Sequence, residues 1–266
     1  QQQRRLRLPD ATTIHDMVLA GPYLVFCLPP IAIDILPVVL KLKPYADALL
    51  WQPELGMRLW IIDRQAFTLV SEQVVEPWYQ WHFGNSYVDA QGHIHFESVR
   101  YDDFATNEYL REMATGRTHT ASLGTLWHFE LDPHSAQLLH RECVVNESCE
   151  FPVIAAADYG QANAPTWLNL RHLGSNLGED YLGEIGCWHQ GRLHRTQFAA
   201  HQYPSEPIHV QTASGAWIVS VVSDTQQHSS EFWIWDASAI EAEPVCRLGL
   251  PQLIPLGFHG TWAACP

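Results

Sequence analysis

Short segments in which hydrophobic and polar residues alternate recur along most of this chain. Residues 92–101 and 124–133 alternate with a period of two, which is typical of strands with one buried face. Residues 216–224 and 230–237 are two further apolar segments joined by a polar tract, and they predict a hairpin. Helical periodicity is weak except at residues 107–115. The pattern predicts an all-β sandwich, barrel or propeller, and no strict repeat selects among these folds.

One segment departs from this pattern because it is almost wholly apolar. It covers residues 17–43, and Pro22, Pro29, Pro30 and Pro37 interrupt it. A continuous membrane-spanning helix is therefore excluded. Two interpretations remain, and both can hold. Buried core strands suit its first part, whereas an exposed apolar surface that enters one membrane leaflet suits the part after Pro29, where two lysines would reach lipid headgroups.

Composition and charge narrow the class of protein. The 266 residues can bury a large core in one all-β domain, and the net charge of -14 argues against nucleic acid as a partner. The six cysteines form no C-x-x-C motif, which predicts reduced thiols in a cytoplasmic compartment. The first residues include no initiator Met and no apolar signal segment. We therefore expect that the chain begins inside a longer polypeptide.

Three histidines and two glutamates in distinctive contexts are candidates for a metal site. His15, His82 and His259 lie too far apart in the sequence to share one element, but the axis of a propeller would bring separate inner strands together. Neutral imidazoles suit Fe(II). Glu150 and Glu206 could accept the remote ring N–H groups of such ligands. The alternatives stay open at this point: each histidine could be an ordinary core or surface residue, and each glutamate a solvated turn residue.

Five motifs that contain these residues resemble one known family. They are T-I-H-D-M-V-L, W-H-F-G-N-S-Y, C-E-F-P-V-I, S-E-P-I-H-V and I-P-L-G-F-H-G-T-W, in this order from residue 13 to residue 262. The chain is similar to the C-terminal part of the carotenoid cleavage oxygenases, the group that also contains the retinoid isomerohydrolase and the stilbene-cleaving oxygenases. Each motif is moderately specific alone, whereas five in the right order are a strong signal.

The resemblance implies a seven-bladed β-propeller with iron on its axis, bound by four histidines. His15, His82 and His259 would be three of these ligands, and the family's first histidine would lie upstream of His15. Residues 1–266 would then be a partial propeller domain that supplies the C-terminal four to five blades, with loop and helical insertions forming a dome. Residues 17–43 fall where the family places a membrane-contacting patch. An apolar tunnel would hold the polyene, and the aromatic residues that suit its wall are Trp81, Phe83, Phe258 and Trp262, together with Trp60 and Trp78.

The function implied by this resemblance is an iron(II)-dependent dioxygenase with one Fe(II) per chain. It would cleave a conjugated double bond of a carotenoid or apocarotenoid with O2, and the products would be two carbonyl compounds. We expect a cytoplasmic enzyme, bacterial or plastid-like, that associates peripherally with membranes. A second hypothesis is a catalytically inactive, N-terminally truncated homologue that binds carotenoid or lipid. A third is an unrelated propeller that serves as an interaction module, which a regular blade repeat would favour.

Overall fold

A computed structural model describes residues 3–8, 11–175 and 181–263 of the chain. Within these ranges the regular structure is almost entirely β, with two α-helices and three short 3-10 helices. Four antiparallel sheets of four or five strands follow one another along the described residues. Each sheet is built mainly from neighbouring hairpins, which is the connectivity of a propeller blade.

The first sheet contains an inserted segment that leaves it and returns. Its elements are β1 (Val18–Ala20), β2 (Tyr23–Leu28), β3 (Ile31–Ile33), α1 (Ile35–Val39), β4 (Leu49–Trp51), β5 (Met57–Asp63) and β6 (Thr68–Val75), with 3-10 helices at Tyr45–Ala48 and Pro53–Leu55. Strands β1, β2, β5 and β6 are neighbours in that order, whereas β3 and β4 pair only with each other. The insertion therefore lies between the second and third strands of the sheet.

The second sheet is a four-stranded meander with one helix between its strands. It consists of β7 (Tyr79–Val88), β8 (Ile94–Tyr101), α2 (Ala105–Met113), β9 (Thr125–Leu131) and β10 (Leu138–Val145). The helix begins two residues before the predicted position, and at its start the Asp103 carboxylate accepts the backbone N–H of Ala105 at 2.8 Å. It ends before Gly116, whose φ of 78° permits the left-handed turn that closes many helices.

The third sheet is also a four-stranded meander, and the fourth sheet has five strands. Their elements are β11 (Cys149–Ile154), β12 (Thr166–Arg171), β13 (Leu182–His189), β14 (Arg192–Arg195), β15 (Gln202–Pro204), β16 (Ile208–Thr212), β17 (Gly215–Asp224), β18 (Ser229–Asp236) and β19 (Cys246–Gly249), with a 3-10 helix at Ala156–Asp158. In the fourth sheet both β15 and β16 pair with β17. The hairpin predicted from the sequence is β17–β18, which is paired over eight residues.

Hydrophobic residues from both faces of the sheets form the cores between successive sheets. On β8, Ile94 and Phe96 join the core between the first and second sheets, whereas Val99 and Tyr101 join the core between the second and third. A third core, which includes Trp167 and Trp235, lies between the third and fourth sheets. The period-two pattern of β8 thus serves two cores, because alternate side chains of a strand point to opposite faces.

The apolar segment at residues 17–43 divides as the two interpretations allowed. Its first part forms β1 and β2, whose buried residues include Val18 and Val25. The exposed part begins later than Pro29, because Ile31 of β3 is still buried. From Ile35 onward it is an exposed surface, and the large apolar side chains exposed there are Ile35, Leu36, Val39, Leu40 and Leu42. None of the helices in the described ranges combines the length and apolar character needed to cross a bilayer.

The cysteines that the structure describes are all unpaired with one another. Cys27, Cys143, Cys149, Cys187 and Cys246 are free thiols, while Cys265 lies outside the described residues.

Trp78 belongs to the core between the first and second sheets, and Trp60 packs on the other face of the first sheet against residues that include Leu6 and Leu8. Both tryptophans are therefore buried in packed clusters of the sheets.

Candidate metal centre and adjoining cavity

Three histidines from distant parts of the chain meet at one point. His15 precedes β1, His82 lies on β7, and His259 lies in the irregular segment after β19. One ring nitrogen of each lies within 4.8 Å of the others, and the Nε2 atoms of His82 and His259 are 3.1 Å apart. They converge because β7, the first strand of its sheet, contacts both β1 and β11, the first strands of the two neighbouring sheets.

Glu150 holds the ring of His82 from behind. Its Oε2 atom lies 2.7 Å from His82 Nδ1 and also accepts the backbone N–H of Phe151 at 2.7 Å. Its Oε1 atom accepts the phenol O–H of Tyr101 at 3.0 Å. The carboxylate is buried on β11, and these donors compensate for the loss of water around its charge. Since Nδ1 of His82 donates to Glu150, Nε2 is left as the nitrogen that faces the other histidines.

Glu206 holds His259 in the same way. Its Oε1 atom lies 3.2 Å from His259 Nδ1, and its Oε2 atom accepts the backbone N–H of Gly260 at 2.9 Å. Glu206 lies between β15 and β16, so the fourth sheet orients a ligand candidate that belongs to the terminal segment. Each glutamate therefore binds one histidine together with one nearby backbone N–H.

Asp16 joins the first two histidine segments. One carboxylate oxygen accepts the backbone N–H of Met17 at 2.7 Å, and the other accepts the backbone N–H of Phe83 at 3.0 Å. Asp16, the residue after His15, is therefore hydrogen-bonded to Phe83, the residue after His82. In the described part of the chain no carboxylate is hydrogen-bonded to the His15 ring; its ring packs edge-on against Trp81 instead, with centroids 5.0 Å apart.

The surroundings shift the pKa values of two of these histidines in opposite directions. Partial burial lowers the pKa of His15, and the neighbouring His82 lowers it further. Burial also tends to lower the pKa of His82, but the charge and hydrogen bond of Glu150 outweigh it, so that pKa is raised. His15 is therefore held in the neutral form, which is the form that binds metals.

The donor set fits a divalent transition metal. The Nδ1–H groups of His82 and His259 both point to carboxylates, so in the neutral rings both Nε2 atoms are acceptors. While both rings are neutral, these two acceptors 3.1 Å apart have no proton to share, whereas a cation bound at about 2.0–2.1 Å from each would satisfy both. Imidazole ligands suit iron, zinc, copper and nickel, and carboxylates behind the rings are the usual means of orienting such ligands.

An apolar cavity of about 240 Å³ adjoins the three histidines. Helix α2 covers this cavity. The helix is attached to β7 by the hydrogen bond that Trp81 Nε1–H donates to Thr106 Oγ1 at 2.9 Å. The residues that line the cavity besides the histidines and Glu150 are Trp81, Tyr101, Thr106, Tyr109, Leu110, Ser122, Ser148, Cys149, Phe151, Arg171, Tyr181, Leu182 and Phe258.

Of the four aromatic residues predicted for a tunnel wall, the cavity contains two. Trp81 and Phe258 line it, whereas Phe83 packs in the core against Phe96. The register of β7 against β8 shifts between Gln80 and Phe83, and an extra residue in one strand turns the following side chains to the opposite face. Trp262 lies outside the lining and is half exposed, because the terminal segment that contains it leaves the cavity after His259.

Two residues of this site were missed by reasoning from the sequence. Tyr101 ends β8 and resembles any core aromatic residue there, so only its contact with Glu150 reveals its place in the site. Asp16 offered a weak signal, since a carboxylate directly after a candidate ligand can fix the ligand's backbone.

Comparison with known proteins agrees with this fold. The sequence model of the family described as RPE65, retinal pigment epithelial membrane protein, matches residues 1–264. The apocarotenoid-15,15'-oxygenase of Synechocystis sp. is 23% identical over 268 residues, which cover 98% of this chain and 54% of that protein. The chain therefore spans about half the length of this curated relative.

Solved structures show the same likeness. The cobalt-substituted apocarotenoid oxygenase of Synechocystis superposes with a TM-score of 0.83 at 23% identity, covering 97% of this chain and 54% of that one. A chimera of that enzyme with RPE65 gives a TM-score of 0.83 at 22% identity, with the same coverage. The all-β expectation is confirmed, and the fold is the β-propeller of these proteins. Because the family model matches nearly all of the sequence, the chain belongs to the RPE65/carotenoid oxygenase family, as the five motifs predicted.

Proposed function

We propose that this chain forms the iron-binding part of an oxygenase that cleaves a conjugated double bond of a carotenoid or apocarotenoid. One observation supports this most strongly: three imidazoles converge beside an apolar cavity, and two of them are oriented by carboxylates. The relative named as an apocarotenoid oxygenase supports the substrate class. The balanced reaction adds both atoms of O2 to the two carbons of one C=C bond and gives two carbonyl products.

His15, His82 and His259 would hold one Fe(II) through ring nitrogens. When bound, Fe(II) would supply the redox chemistry with O2 at coordination positions that protein ligands leave open. Glu150 and Glu206 would keep the rings of His82 and His259 in the ligating tautomer by accepting their Nδ1–H groups. A fourth histidine upstream of His15 stays a prediction from the family resemblance, as do the seven blades of the complete propeller.

The cavity would position the polyene. Trp81, Tyr109 and Phe258 offer flat apolar surfaces along which a conjugated chain can lie, and the covering helix α2 would keep water away. Selection of the reacting bond would then follow from how far the chain enters, since placing the reactants correctly is itself a large part of catalysis.

Substrates of this class are dissolved in membranes, and the exposed segment offers a route to them. We assign the membrane contact to α1 and the residues that follow it, where five large apolar side chains are exposed and two lysines lie close by, Lys41 and Lys43. Such a surface is expected to enter the headgroup region without crossing the bilayer. The chain would thus be a peripheral membrane protein.

The proposal is tested by reconstituting the metal-free chain with Fe(II) under anaerobic conditions and measuring bound iron. We expect about one iron per chain, and loss of that iron in His82→Ala and His259→Ala, because each variant removes one ligand. His134→Ala is the matched control, since that histidine lies in an exposed turn. Equal iron in all four proteins would contradict the ligand assignment.

The same preparations distinguish an oxygenase from a binding protein. Apocarotenoid that loses its visible absorption only when both Fe(II) and O2 are present, with two carbonyl products, would support the enzyme. Apocarotenoid that binds without iron and keeps its absorption in air would indicate the non-catalytic carotenoid binder instead.

A further inference from the structure

A second cluster of side chains that could hold a metal lies at the other end of β7, between the turn that joins it to β8 and the adjacent strand β9. Ligand atoms of Asp89, His93 and Glu130 all lie within 4.8 Å of one another, and all three side chains are partly buried. Asp89 follows His82 by seven residues, which corresponds to about 20 Å along an extended strand. The cluster is therefore separate from the histidines beside the apolar cavity.

The hairpin places these groups on one face of the second sheet. His93 and His95 are two residues apart and so point to the same side, and His95 is paired directly with Glu130 of β9. Asp89 is fixed by its backbone contacts, because its Oδ1 atom accepts the N–H groups of Gln91 and His93 at 2.9 and 2.8 Å. Its other oxygen is thereby directed toward the two imidazoles.

The distances show how closely the groups approach. His93 Nδ1 lies 2.8 Å from Glu130 Oε1 and 3.9 Å from Asp89 Oδ2. His95 Nε2 lies 3.1 Å from the same Asp89 oxygen, and its Nδ1 lies 3.1 Å from Nε2 of His128. One imidazole nitrogen and two carboxylate oxygens thus surround a common point, and a second imidazole holds one of the carboxylates in place.

We propose that Asp89, His93 and Glu130 form a second divalent-metal site and that its ion is Zn2+. Two carboxylates neutralise a divalent charge, and Zn2+ binds nitrogen and oxygen ligands at about 2.0–2.2 Å. The ion would take the place of the proton between His93 Nδ1 and Glu130 Oε1, and small side-chain rotations would bring the Asp89 oxygen into range. His95 acts as a positioning residue because it orients the Asp89 carboxylate.

Such an ion would connect the β7–β8 hairpin to β9 across the sheet. Binding only to the folded chain would raise the stability of the fold, by an amount that increases with zinc concentration. The site would be structural, since the apolar cavity lies at the other end of β7 and none of the three ligands lines it.

Zinc uptake by the metal-free chain tests the proposal. ZnCl2 is added, excess is removed, and bound zinc is counted in the unaltered chain and in His93→Ala, Glu130→Gln and His140→Ala. His140 is the control because it is an exposed histidine of the same sheet, on β10, outside the cluster. We expect both cluster variants to bind one zinc fewer than the unaltered chain and the control, and His95→Ala to bind that zinc about 10–100-fold more weakly.

The histidines beside the cavity can also take zinc, and His259→Ala separates the two sites. In that variant, zinc should still raise the melting temperature, and the further change Glu130→Gln should abolish the rise. Circular dichroism of each variant checks that it is folded, and Glu130→Gln nearly preserves the size of the side chain. Equal zinc content in the unaltered chain and both cluster variants would overturn the proposal, whatever the iron experiment shows.

Discussion

At the scale of single residues, Glu150 and Glu206 each orient one histidine through the same kind of hydrogen bond. Each buried or half-buried carboxylate accepts one histidine Nδ1–H and one backbone N–H from the residue beside it or beside its histidine. Glu150 has an additional donor in Tyr101. A carboxylate with several fixed donors has little freedom to rotate, so the imidazole attached to it has little freedom either.

Tyr101→Phe is expected to loosen the Glu150 carboxylate without emptying the site. It removes one buried hydrogen bond to a charged group, so we expect the free energy of unfolding to fall by about 1–2 kcal/mol. Iron affinity should fall about tenfold, because the orientation of His82 is less well defined. Urea denaturation and competitive iron titration measure the two effects.

Tyr159→Phe provides the comparison, since Tyr159 is an exposed tyrosine away from the site. If Tyr101→Phe binds iron as tightly as this control, then the hydrogen bond from Tyr101 does not help to position His82.

At the scale of elements, the inserted segment of the first sheet and helix α2 are placed for different tasks. Helix α2 is attached to β7 through Trp81 and to the insertion through Arg111, which lies 2.6 Å from Asp47. Helix α1 of the insertion has no buried residue. The insertion therefore supports the cover of the cavity on one side and presents an apolar surface on the other.

The double variant Leu36→Glu/Leu40→Glu is expected to weaken binding to phospholipid vesicles by about a hundredfold or more. Both leucines are more than half exposed, and burying each in a membrane contributes about 1.5 kcal/mol or more. Co-sedimentation with vesicles measures the loss, while the far-ultraviolet circular dichroism should not change.

Leu139→Glu is the matched variant, because Leu139 is an exposed leucine on β10, far along the chain from the insertion. Membrane binding that falls equally in both proteins would mean that the effect comes from added negative charge, and would remove the support for α1 as the contact.

At the scale of the whole molecule, a buried acid links two neighbouring sheets in addition to the apolar cores between them. Glu97 of β8 accepts the Thr166 hydroxyl of β12 at 2.5 Å and the backbone N–H of Asn85 at 3.2 Å, so it connects the second and third sheets. Gly84 permits this, since a Cβ there would lie 2.8 Å from a Glu97 oxygen. Burial raises the pKa of Glu97 from 4.5 to about 7, despite those two hydrogen bonds.

The raised pKa of Glu97 predicts that stability falls as pH rises. Between pH 4.5 and about 7 the folded chain holds a proton on Glu97 that the unfolded chain has released. The unfolded state then binds fewer protons than the folded state, so the free energy of unfolding decreases through this window, by about 3 kcal/mol in total from this group. Urea denaturation at pH 5 and pH 8 should show the decrease.

Glu97→Gln keeps a carbonyl oxygen for the same two donors and cannot ionise. We expect its loss of stability from pH 5 to pH 8 to be smaller than that of the unaltered chain by about 2.5 kcal/mol, because part of the total effect is already present at pH 5. Identical pH profiles for the two proteins would show that Glu97 ionises normally in the fold.

Much of the fold and part of the site were predictable from local patterns. The sequence pattern located both ends of β8, β9, β17 and β18 to within two residues, because successive side chains of a strand point to opposite faces of its sheet. The motifs around His15, His82 and His259 identified the candidate ligands through their resemblance to one known family. The family assignment followed from the same motifs and is confirmed.

Other features depended on register and on contacts between distant segments, which only the tertiary structure decides. The register shift in β7 turned Phe83 into a core and left Trp81 in the cavity, and no local pattern shows such a shift. Tyr101 and the Asp89, His93 and Glu130 cluster were equally hidden, because their partners come from other strands. By itself, the sequence determined where strands such as β8, β9, β17 and β18 lie and which residues carry metal-binding groups. The packing of the sheets decided which of those groups meet, because cross-strand neighbours are set by register and not by distance along the chain.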